Sequence, residues 1–552
     1  MDLEILEGWL PDFARNEFFP GKIQVRNGII RTITRTGDVQ AQVPGNQSGI
    51  PVILPGLIDA HVHIESSMVM PSRFAVAAAR HGTVATVSDP HEIANVLGLK
   101  GVKVMYEDAK RACIKIFLTA PSCVPATAIE TSGAMLGAEQ LEELFRDREV
   151  VALGEMMNFP GVINRMPSVM EKITLAQQYG LPVDGHVPGI VGKELDDYIG
   201  AGIQTDHESI SYEEAEEKIN KGMKVLIREG SAARIFDELW PLIRKYPDRV
   251  MLCTDDFHPD DLNEGHINKL IIKGLNKGLN FFDLYRAASL NAIEHYNLPV
   301  GSLTVNDPAD FIVVNNLLDF NILSTWIRGH PVYGEHAGIQ ELPVITVCNR
   351  FEANPLRANE LEVHGPGGRY RVIGVRDEVL VTDPLVRHLY ARDGIIQPDI
   401  HQDILKIVVV NRYRTAPPSI AWIHGFGLKQ GAIASSIAHD SHNLIAVGVD
   451  DQSIVLAIND IIKNKGGIAA SSGGHTQLLP LPVAGLMSDQ GVAETGEKYQ
   501  ELTQRARDQG AGLKAPFMTL SLMALLVIPH LKIGDQGLFD GDQFRFIPLQ
   551  AD

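Results

Sequence analysis

Short apolar runs, many of them ending in a histidine or a carboxylate, recur along residues 52–255 of the chain. Successive runs begin about 20 to 35 residues apart, and most are separated by sequence with a helical pattern. This spacing predicts a (β/α)8 barrel of the TIM type, in which side chains at the carboxyl ends of the strands share one mouth. The eight predicted strands are Val52–His63, Thr83–Asp89, Lys115–Ala120, Val150–Glu155, Pro182–His186, Ile203–His207, Lys224–Arg228 and Arg249–Asp255.

Strand-like sequence also lies on both sides of the predicted barrel. Residues Gly21–Thr34 favour two strands joined at Asn27-Gly28, a dipeptide preferred in tight hairpin turns. Similar sequence returns at Gly301–Asn315 and at Gln340–Asn349. We therefore expect a small β-sandwich made from residues 1–54 and 302–359, flanking a barrel at residues 55–301. Residues 360–552 are expected to form an additional C-terminal α+β domain, so the predicted fold class is α/β.

Length and composition limit the functions that the chain can have. A chain of 552 residues is too long for one hydrophobic core. The net charge of −19 argues against a nucleic-acid partner, because phosphate binding needs a basic surface, although a free nucleobase stays open as a substrate. The four cysteines include no CxxC pair, and no segment has the pattern of a signal peptide or a membrane span. We expect a cytoplasmic protein with no membrane partner.

The first predicted strand ends in His61-Val62-His63. Residues i and i+2 of a strand point to the same side, so both imidazoles can reach one metal ion. Two unrelated core or surface histidines would give the same letters. The position at the mouth of a barrel favours the metal interpretation.

Other strand ends carry further potential ligands. Glutamate is rarely buried without a partner, so Glu155 is either a carboxylate that bridges two cations or an acid just beyond a strand end. His186 and His207 would each be ordinary structural histidines if they stood alone, but they follow two successive strands. Asp255 and Asp256 are adjacent carboxylates, whose repulsion a cation would offset. With the two histidines of the first strand, these residues predict a two-metal centre.

Such a centre would perform hydrolysis. Divalent cations lower the pKa of bound water toward 7, which makes a nucleophile available at neutral pH. We expect Asp255 to be a ligand that also takes a proton and passes it to the leaving group, while Asp256 faces the substrate. The barrel residues alone leave open whether the substrate is an amide, a lactone, a phosphoester or an amidine.

Several motifs resemble those of the bacterial adenine deaminases, a family of the amidohydrolase superfamily. They are Pro55–Ser67 (PGLIDAHVHIESS), Ser88–Val96 (SDPHEIANV), Gly185–Gly189 (GHVPG), Thr205–Ser209 (TDHES), Thr254–Asp256 (TDD), Asn411–Arg412 and Ala438–Gly448 (AHDSHNLIAVG). The resemblance spans nearly the whole chain. It implies hydrolysis of adenine by water to hypoxanthine and ammonia, with two Mn(II) or Fe(II) ions, or Zn(II), as cofactors. We also expect a homo-oligomer, a dimer.

The family pattern implies a role for each candidate residue. The implied metal ligands are His61 and His63 on one ion, His186 and His207 on the other, Glu155 between the two ions, and Asp255 completing the site. The expected catalytic residues are Asp255 and Glu208. Deamination of adenine needs an acid near N1 or N6, and both Glu208 and Asp256 are candidates for that acid. The expected substrate-binding residues are Asp256, His91, Glu92, Arg228, His439 and His442.

The segment His439–His442 (HDSH) belongs to no barrel strand. Its histidines could bind a metal of their own, complete the active site from above the barrel, or cap a strand–helix turn. The sequence leaves these three roles open.

Two other functions fit the barrel. Another amidohydrolase reaction, such as deacetylation of an N-acetyl sugar, also suits a centre that contains a glutamate, but it does not need a third region of about 190 residues. A non-catalytic amidohydrolase-like scaffold is expected to lack metal ligands, and here all six candidate ligands are present.

Overall fold

The computed structural model describes residues 4–40, 49–127, 129–231, 233–338, 342–377 and 379–551. The chain divides into two compact units, each built from several segments. The first unit contains Met1–Pro90, Met105–Ser122 and Gly137–Val344. The second unit contains His91–Val104, Cys123–Leu136 and Ile345–Asp552.

The first unit begins with four strands of a sheet. They are β1 (Glu4–Asp12), β2 (Glu17–Arg26), β3 (Ile29–Arg35) and β4 (Val52–Pro55). Asn27 and Gly28 join β2 to β3 with φ angles of 54° and 74°, which a two-residue hairpin turn of type I′ requires. The predicted hairpin is therefore confirmed. The first apolar run of the sequence contains two strands, because β4 pairs with β1 in this sheet while the residues after Gly56 enter the barrel.

The barrel strands run parallel and follow one another in chain order. They are β5 (Leu57–His63), β6 (Thr83–Ser88), β7 (Lys115–Ala120), β8 (Val150–Met156), β9 (Val183–Gly185), β10 (Thr205–Asp206), β11 (Lys224–Arg228), β12 (Val250–Cys253) and β13 (Asp255–Asp256). Strands β5 to β9 pair in order, as do β10 to β12, and β13 pairs with β5 in the register Asp255↔Val62. The last strand therefore returns to the first. The expected parallel α/β arrangement is confirmed, and its order agrees with a TIM-type barrel.

Helices connect these strands along the chain. They are α1 (Pro71–Arg80), α2 (His91–Leu97), α3 (Leu99–Ala109), α4 (Ala138–Arg146), α5 (Phe159–Ile163), α6 (Pro167–Gln178), α7 (Gly192–Ile199), α8 (Tyr212–Asn220), α9 (Phe236–Leu239), α10 (Pro241–Lys245), α11 (Pro259–Glu264), α12 (Ile267–Asn276), α13 (Phe281–Tyr285) and α14 (Asn291–Tyr296). In α12, Ile267, Leu270, Ile271 and Gly274 are buried, which is the i, i+3, i+4, i+7 spacing of a helix with one apolar face. That face joins the core around the barrel strands.

The flank after the barrel completes the first sheet. Its strands are β14 (Phe311–Val314), β15 (Ile322–Ile327) and β16 (His330–Gly334), and β14 pairs with β4 to give the order β16-β15-β14-β4-β1-β2-β3. Both flanks of the barrel thus share one sheet, while a facing second sheet stays a prediction. The strand expected at Gln340–Asn349 is wrong for residues 342–349, which form no strand. The Cys348 carbonyl, for example, accepts a hydrogen bond from the Ala484 amide rather than from a neighbouring strand. Residues 340 and 341 lie outside the described residues.

The second unit contains a mixed eight-stranded sheet in the order β18-β17-β22-β21-β24-β23-β25-β26. The strands from residue 345 onward are β17 (Gly368–Gly374), β18 (Asp383–Leu389), β19 (Ala391–Arg392), β20 (Ile395–Ile396), β21 (Ile404–Val410), β22 (Ser419–His424), β23 (Ala432–Ser435), β24 (Leu444–Gly448), β25 (Gly467–Ser472), β26 (His475–Pro480), β27 (Leu531–Gly534), β28 (Gly537–Asp540) and β29 (Arg545–Phe546). The helices are α15 (Asp451–Asn464), α16 (Val492–Asp508) and α17 (Pro516–Leu522).

Helix α15 shows why this sheet is covered on one face. Asp450 caps the helix by accepting a hydrogen bond from the Ser453 amide at 2.8 Å. Ile454, Ile458 and Ile461 recur at helical spacing and are fully buried against the sheet. The segment between β23 and β24, which carries the HDSH motif, is therefore anchored at both ends by buried strands. Among the described residues, no helix combines the length and the apolarity that a membrane crossing requires.

Candidate metal centre

Strand β5 delivers His61 and His63 to one side of the sheet. Their Nε2 atoms lie 3.2 Å apart, and both rings are buried. Nδ1 of His63 lies 3.0 Å from the carbonyl oxygen of Asp89, a contact that orients the ring and leaves Nε2 available for a ligand. The predicted HxH pair therefore presents two nitrogens to one small region.

Glu155, near the end of β8, occupies the middle of the cluster. Its Oε1 lies 3.2 Å from Nε2 of His63. Its other oxygen, Oε2, lies 2.8 Å from Nδ1 of His186 and 3.1 Å from Nε2 of His207. One carboxylate thus faces the histidine of strand β5 with one oxygen and the histidines after β9 and β10 with the other. This is the arrangement that a carboxylate bridging two cations requires.

Asp255 contacts both histidines of strand β5. Its Oδ1 lies 3.0 Å from Nε2 of His63 and 3.6 Å from Nε2 of His61. Its Oδ2 accepts a hydrogen bond from Nη1 of Arg228, which also contacts Glu208, and Nη2 of Arg228 donates to Glu208 at 3.1 Å. The backbone of Asp255 has a φ of 58°, a conformation that non-glycine residues adopt rarely and that often marks a functional position.

Asp256, the neighbour of Asp255, points to a different partner. Its Oδ1 accepts a hydrogen bond of 2.5 Å from the hydroxyl of Ser66. In the described part of the chain it has no ion pair with the histidines of the cluster. The structure therefore separates the two aspartates as the sequence analysis expected, although the role of each stays a prediction.

Neighbouring charges shift the pKa values of Asp255 and of the histidines around it. Burial by itself would raise the pKa of Asp255, but Arg228 and then His61 and His63 outweigh it and hold the pKa well below its ordinary value. Burial, followed by the nearby His207, lowers the pKa of His61. Asp255 and His61 therefore favour the ionised carboxylate and the neutral imidazole, the forms in which these residues bind metals. Burial would lower the pKa of His63, but Asp255 and Glu155 outweigh it and raise the pKa well above its ordinary value.

Six side chains in this region form what we call the metal-centre cluster: His61, His63, Glu155, His186, His207 and Asp255. Their donor atoms fall into overlapping groups within 4.8 Å, two of which share Glu155. Donors bound to one ion at about 2.0–2.2 Å lie roughly 3 to 3.5 Å apart, and the distances between them here are similar. The donor set of nitrogens and oxygens fits divalent cations such as Mn(II), Fe(II) or Zn(II).

Several residues that support this cluster have no obvious signal in the sequence. Asp89 accepts a hydrogen bond from the amide of Glu155 at 2.9 Å. Asp206, which precedes His207, is paired with the buried amine of Lys218 at 2.9 Å. In the sequence, each aspartate is marked only by its place next to the end of a predicted strand. That place does not predict a hydrogen-bond or ion-pair partner twelve or more residues away.

The remaining candidates lie in the second unit. Helix α2 begins with His91 and Glu92, and the segment between β23 and β24 contains His439, Asp440 and His442. Nδ1 of His439 lies 2.7 Å from Oε1 of Glu92, and Nε2 of His442 contacts Oε2 of the same carboxylate. The structure brings these five residues together, and we refer to them as the second histidine cluster. Contact of any of them with a substrate stays a prediction.

Comparison with known proteins identifies the family. The profile of the amidohydrolase family matches residues 52–332, and that of the adenine deaminase C-terminal domain matches residues 379–545. An adenine deaminase of Methanosarcina mazei is 49% identical over 559 residues, covering 99% of each chain. The chain belongs to the adenine deaminase family. An adenine deaminase of Parabacteroides distasonis is 46% identical and covers 99% of this chain and 98% of its own.

The two profiles together cover both main regions of this chain. The amidohydrolase profile covers the barrel region, and the adenine deaminase C-terminal profile covers most of the region after residue 360. The expected resemblance is therefore confirmed over the full length. The third region, which a simple deacetylase would not need, is accounted for by the same family.

Proposed function

We propose that the chain hydrolyses adenine to hypoxanthine and ammonia at the metal-centre cluster. The observation that carries the proposal is that the six expected donors form overlapping groups of three within 4.8 Å, in a chain that aligns over 99% of its length with an adenine deaminase. The relatives that align over the full chain with the identities given above carry the name adenine deaminase, which favours this function over deacetylation of an N-acetyl sugar. A non-catalytic scaffold would not need six such donors, five of them buried, at these separations.

The proposed metal ligands are those of the metal-centre cluster. Two divalent cations, when bound, would lower the pKa of water enough to provide a hydroxide nucleophile at neutral pH. His61, His63 and Asp255 would hold one, while His186 and His207 would hold the other, with Glu155 shared. Mn(II) or Fe(II) is the proposed metal, and Zn(II) also suits the donor set.

Asp255 is proposed to move the proton of the attacking water. Its Oδ1 faces the histidines of β5, while its Oδ2 is held by Arg228, so the carboxylate keeps one orientation as it accepts and releases a proton. Glu208, held by the same guanidinium, is proposed to donate a proton to N1 as the oxygen of water bonds to C6, and to be reprotonated by one hydrogen of that water. Asp255 is proposed to pass the other hydrogen to N6 as the C6–N6 bond breaks. The net result is one proton of water on N1 and one on N6, which balances hypoxanthine and ammonia.

The proposed substrate-binding roles rest on fewer contacts than the proposed catalytic roles. Asp256 is proposed to contact adenine, with its orientation fixed by Ser66. Arg228 contacts Glu208 and Asp255 in the structure, so its principal proposed role is to position these carboxylates, and direct contact with adenine stays a prediction. The cytoplasmic location and the dimeric state also stay predictions.

The test is a comparison of substrates on Mn(II)-loaded protein. We expect adenine to give hypoxanthine and ammonia in equal amounts, and we expect no acetate from N-acetylglucosamine 6-phosphate. A protein that releases acetate from the sugar and leaves adenine unchanged would refute the proposal. The Asp255→Asn variant should abolish the ammonia release and thereby exclude a contaminating deaminase.

A further inference from the structure

The buried amine of Lys218, on helix α8, contacts the chain next to the ends of two neighbouring barrel strands. It donates to the carbonyl oxygen of Val187 at 2.7 Å and to Oδ2 of Asp206 at 2.9 Å. Val187 directly follows His186, and Asp206 directly precedes His207. One ammonium group therefore joins residues that adjoin two of the proposed metal ligands.

Two carboxylates around this amine connect the same two segments. Oδ1 of Asp206 accepts a hydrogen bond from the Val187 amide at 2.9 Å. Glu214, which also lies on α8, accepts from the lysine amine at 2.7 Å and from the Gly189 amide at 2.8 Å. Its other oxygen accepts from the Ile210 amide at 3.3 Å. Both carboxylates therefore hold the segment after β9 next to the chain at the end of β10.

We call Asp206, Glu214 and Lys218 the lysine network. Asp206 and Lys218 are 0% exposed, and Glu214 is 7% exposed. A lysine is almost never fully buried unless it is paired, and here one positive charge lies between two negative charges. An ammonium group in this position keeps its partners, because any other arrangement would leave a charge unpaired in the interior. The lysine network therefore fixes the two segments relative to each other.

The two histidines next to this network face one oxygen of Glu155. Nδ1 of His186 lies 2.8 Å from Oε2 of Glu155, and Nε2 of His207 lies 3.1 Å from it. The histidines of strand β5 have a different support, because the ring of His63 contacts the Asp89 carbonyl. Metal affinity falls roughly 10- to 100-fold when contacts that orient a ligand are lost. Loss of the lysine network should therefore affect one metal position and spare the other.

We propose that Lys218 is a positioning residue for the cation assigned to His186 and His207, and that it does not act on the cation assigned to strand β5. This inference rests on the ligands of the proposed function. The lysine network holds the two segments in place before the cation binds, so that binding does not have to order them. A general contribution to stability would instead weaken both cations to the same extent.

The test compares the affinities of the two Mn(II) positions in the full-length protein. Equilibrium dialysis with elemental analysis should give two bound ions in the wild type. In Lys218→Met, we expect one ion to bind as in the wild type and the other to bind roughly 10- to 100-fold more weakly. The matched control is Lys221→Met, directly after the same helix, where the amine contacts Asp196 and the Gly192 carbonyl. Neither partner adjoins a proposed ligand, so this variant should bind both ions as the wild type does.

A double variant identifies the ion that is affected. His207→Asn removes a ligand of the affected position, so the ion that remains should belong to strand β5. Adding Lys218→Met to His207→Asn should leave the affinity of that ion unchanged, because the two changes act on the same position. A further loss of affinity in the double variant would overturn the selective role of Lys218.

Amide hydrogen exchange of the wild type tests the same claim without any variant. In metal-free protein, the amides of Val187, Gly189 and Ile210 should exchange slowly, because their acceptors belong to the lysine network. Addition of Mn(II) should change these rates little. Amides that exchange freely without metal and become protected only with Mn(II) would overturn the proposal, since the ion and not Lys218 would then order the two segments.

Failure of this proposal and failure of the proposed function give different results. A wild type that leaves adenine unchanged, while Lys218→Met still weakens one ion selectively, would refute the reaction and support the positioning role. A wild type that deaminates adenine, while Lys218→Met binds both ions as the wild type does or weakens both equally, would overturn the positioning role alone.

Discussion

The metal-centre cluster and the second histidine cluster use the same residue types but balance charge differently. In the first, Arg228 contacts both Asp255 and Glu208, so a permanent cation is built into the protein. In the second, Glu92 and Asp440 have only imidazoles as ionic partners among the described residues. A catalytic centre must keep its geometry while ligands exchange, and a fixed arginine provides that. In the second cluster, the described residues offer only imidazoles to offset the two carboxylates.

The scaffolds of the two clusters differ as well. Ligands of the metal-centre cluster lie at the ends of parallel strands, where the sheet fixes their spacing. Those of the second cluster lie at a helix start and in a connection between two strands. Rigid strand ends suit chemistry that tolerates little displacement, whereas a connection between strands positions its side chains less precisely.

The largest expected effect comes from Asp255→Asn. This change removes a ligand charge and the proposed proton acceptor together, and we expect kcat/KM for adenine to fall by roughly a thousandfold or more. Ammonia release measures the effect, and circular dichroism checks the fold. Asp256→Asn is the matched control and should retain its metal content while KM rises. If Asp256→Asn empties the metal-centre cluster and Asp255→Asn does not, the two roles are reversed.

Replacing Arg228 tests whether its positive charge balances the carboxylates of Asp255 and Glu208. Arg228→Met leaves the buried carboxylates of Asp255 and Glu208 without their partner, and breaking a buried pair costs about 3–5 kcal/mol. We expect urea unfolding to show a loss of that size in metal-free protein. Arg244→Met, at an exposed position, should change the free energy of unfolding by less than about 0.5 kcal/mol. An unchanged stability for Arg228→Met would show that the arginine does not balance the charges of the centre.

The buried carboxylate of Asp206 allows a test by the pH dependence of stability. Burial would raise the pKa of Asp206, but Lys218 and His207 outweigh it and lower the pKa to about 2. Because the folded pKa lies below the unfolded value of about 3.9, the contribution is present above pH 4 and is lost as the pH falls through 2. Its full size is about 2.6 kcal/mol, of which about 2 kcal/mol is lost by pH 2. The difference in unfolding free energy between wild type and Asp206→Asn should shrink by this amount from pH 7 to pH 2.

The control for this pH test is Asp197→Asn, since Asp197 is exposed. Its effect on the free energy of unfolding should be small at both pH values. A difference between wild type and Asp206→Asn that stays constant from pH 7 to pH 2 would contradict the proposed pairing with Lys218.

The smallest expected effect concerns Ser66. Its hydroxyl donates to Asp256, and removing one hydrogen bond to a charged group costs about 1.5 kcal/mol or slightly more. We expect Ser66→Ala to raise KM for adenine by roughly tenfold while kcat changes little. A fall in kcat at constant KM would instead place Asp256 in the chemical step.

The barrel and its donors could be predicted from the sequence because topology determines where strand ends meet. The i and i+2 spacing of His61 and His63 places both imidazoles on one side of a strand. The strand periodicity then brings Glu155 to the same mouth. What the sequence did not reveal was the contact of Arg228 with two carboxylates, because side-chain pairing between separate strands leaves no pattern along the chain.

The second histidine cluster was harder to predict from the sequence. The sequence of the HDSH segment is compatible with three roles, and the position of His91 and Glu92 at a predicted strand end indicates only that they support the site or contact substrate. Helix α2 belongs to the second unit although it directly follows a barrel strand. No periodicity marks that change of unit, so the proximity of Glu92 to His439 becomes visible only in three dimensions.

The most direct test of the account is the rate of ammonia release from adenine as the metals are removed and returned. The metal-centre cluster predicts an active Mn(II)-loaded protein, loss of activity after chelation, and recovery when Mn(II) is added back. The Glu155→Gln variant should not recover in the same titration. Adenine deamination that persists at full rate in metal-free protein, or that Glu155→Gln regains with Mn(II), would contradict the claim that these six residues form the catalytic centre.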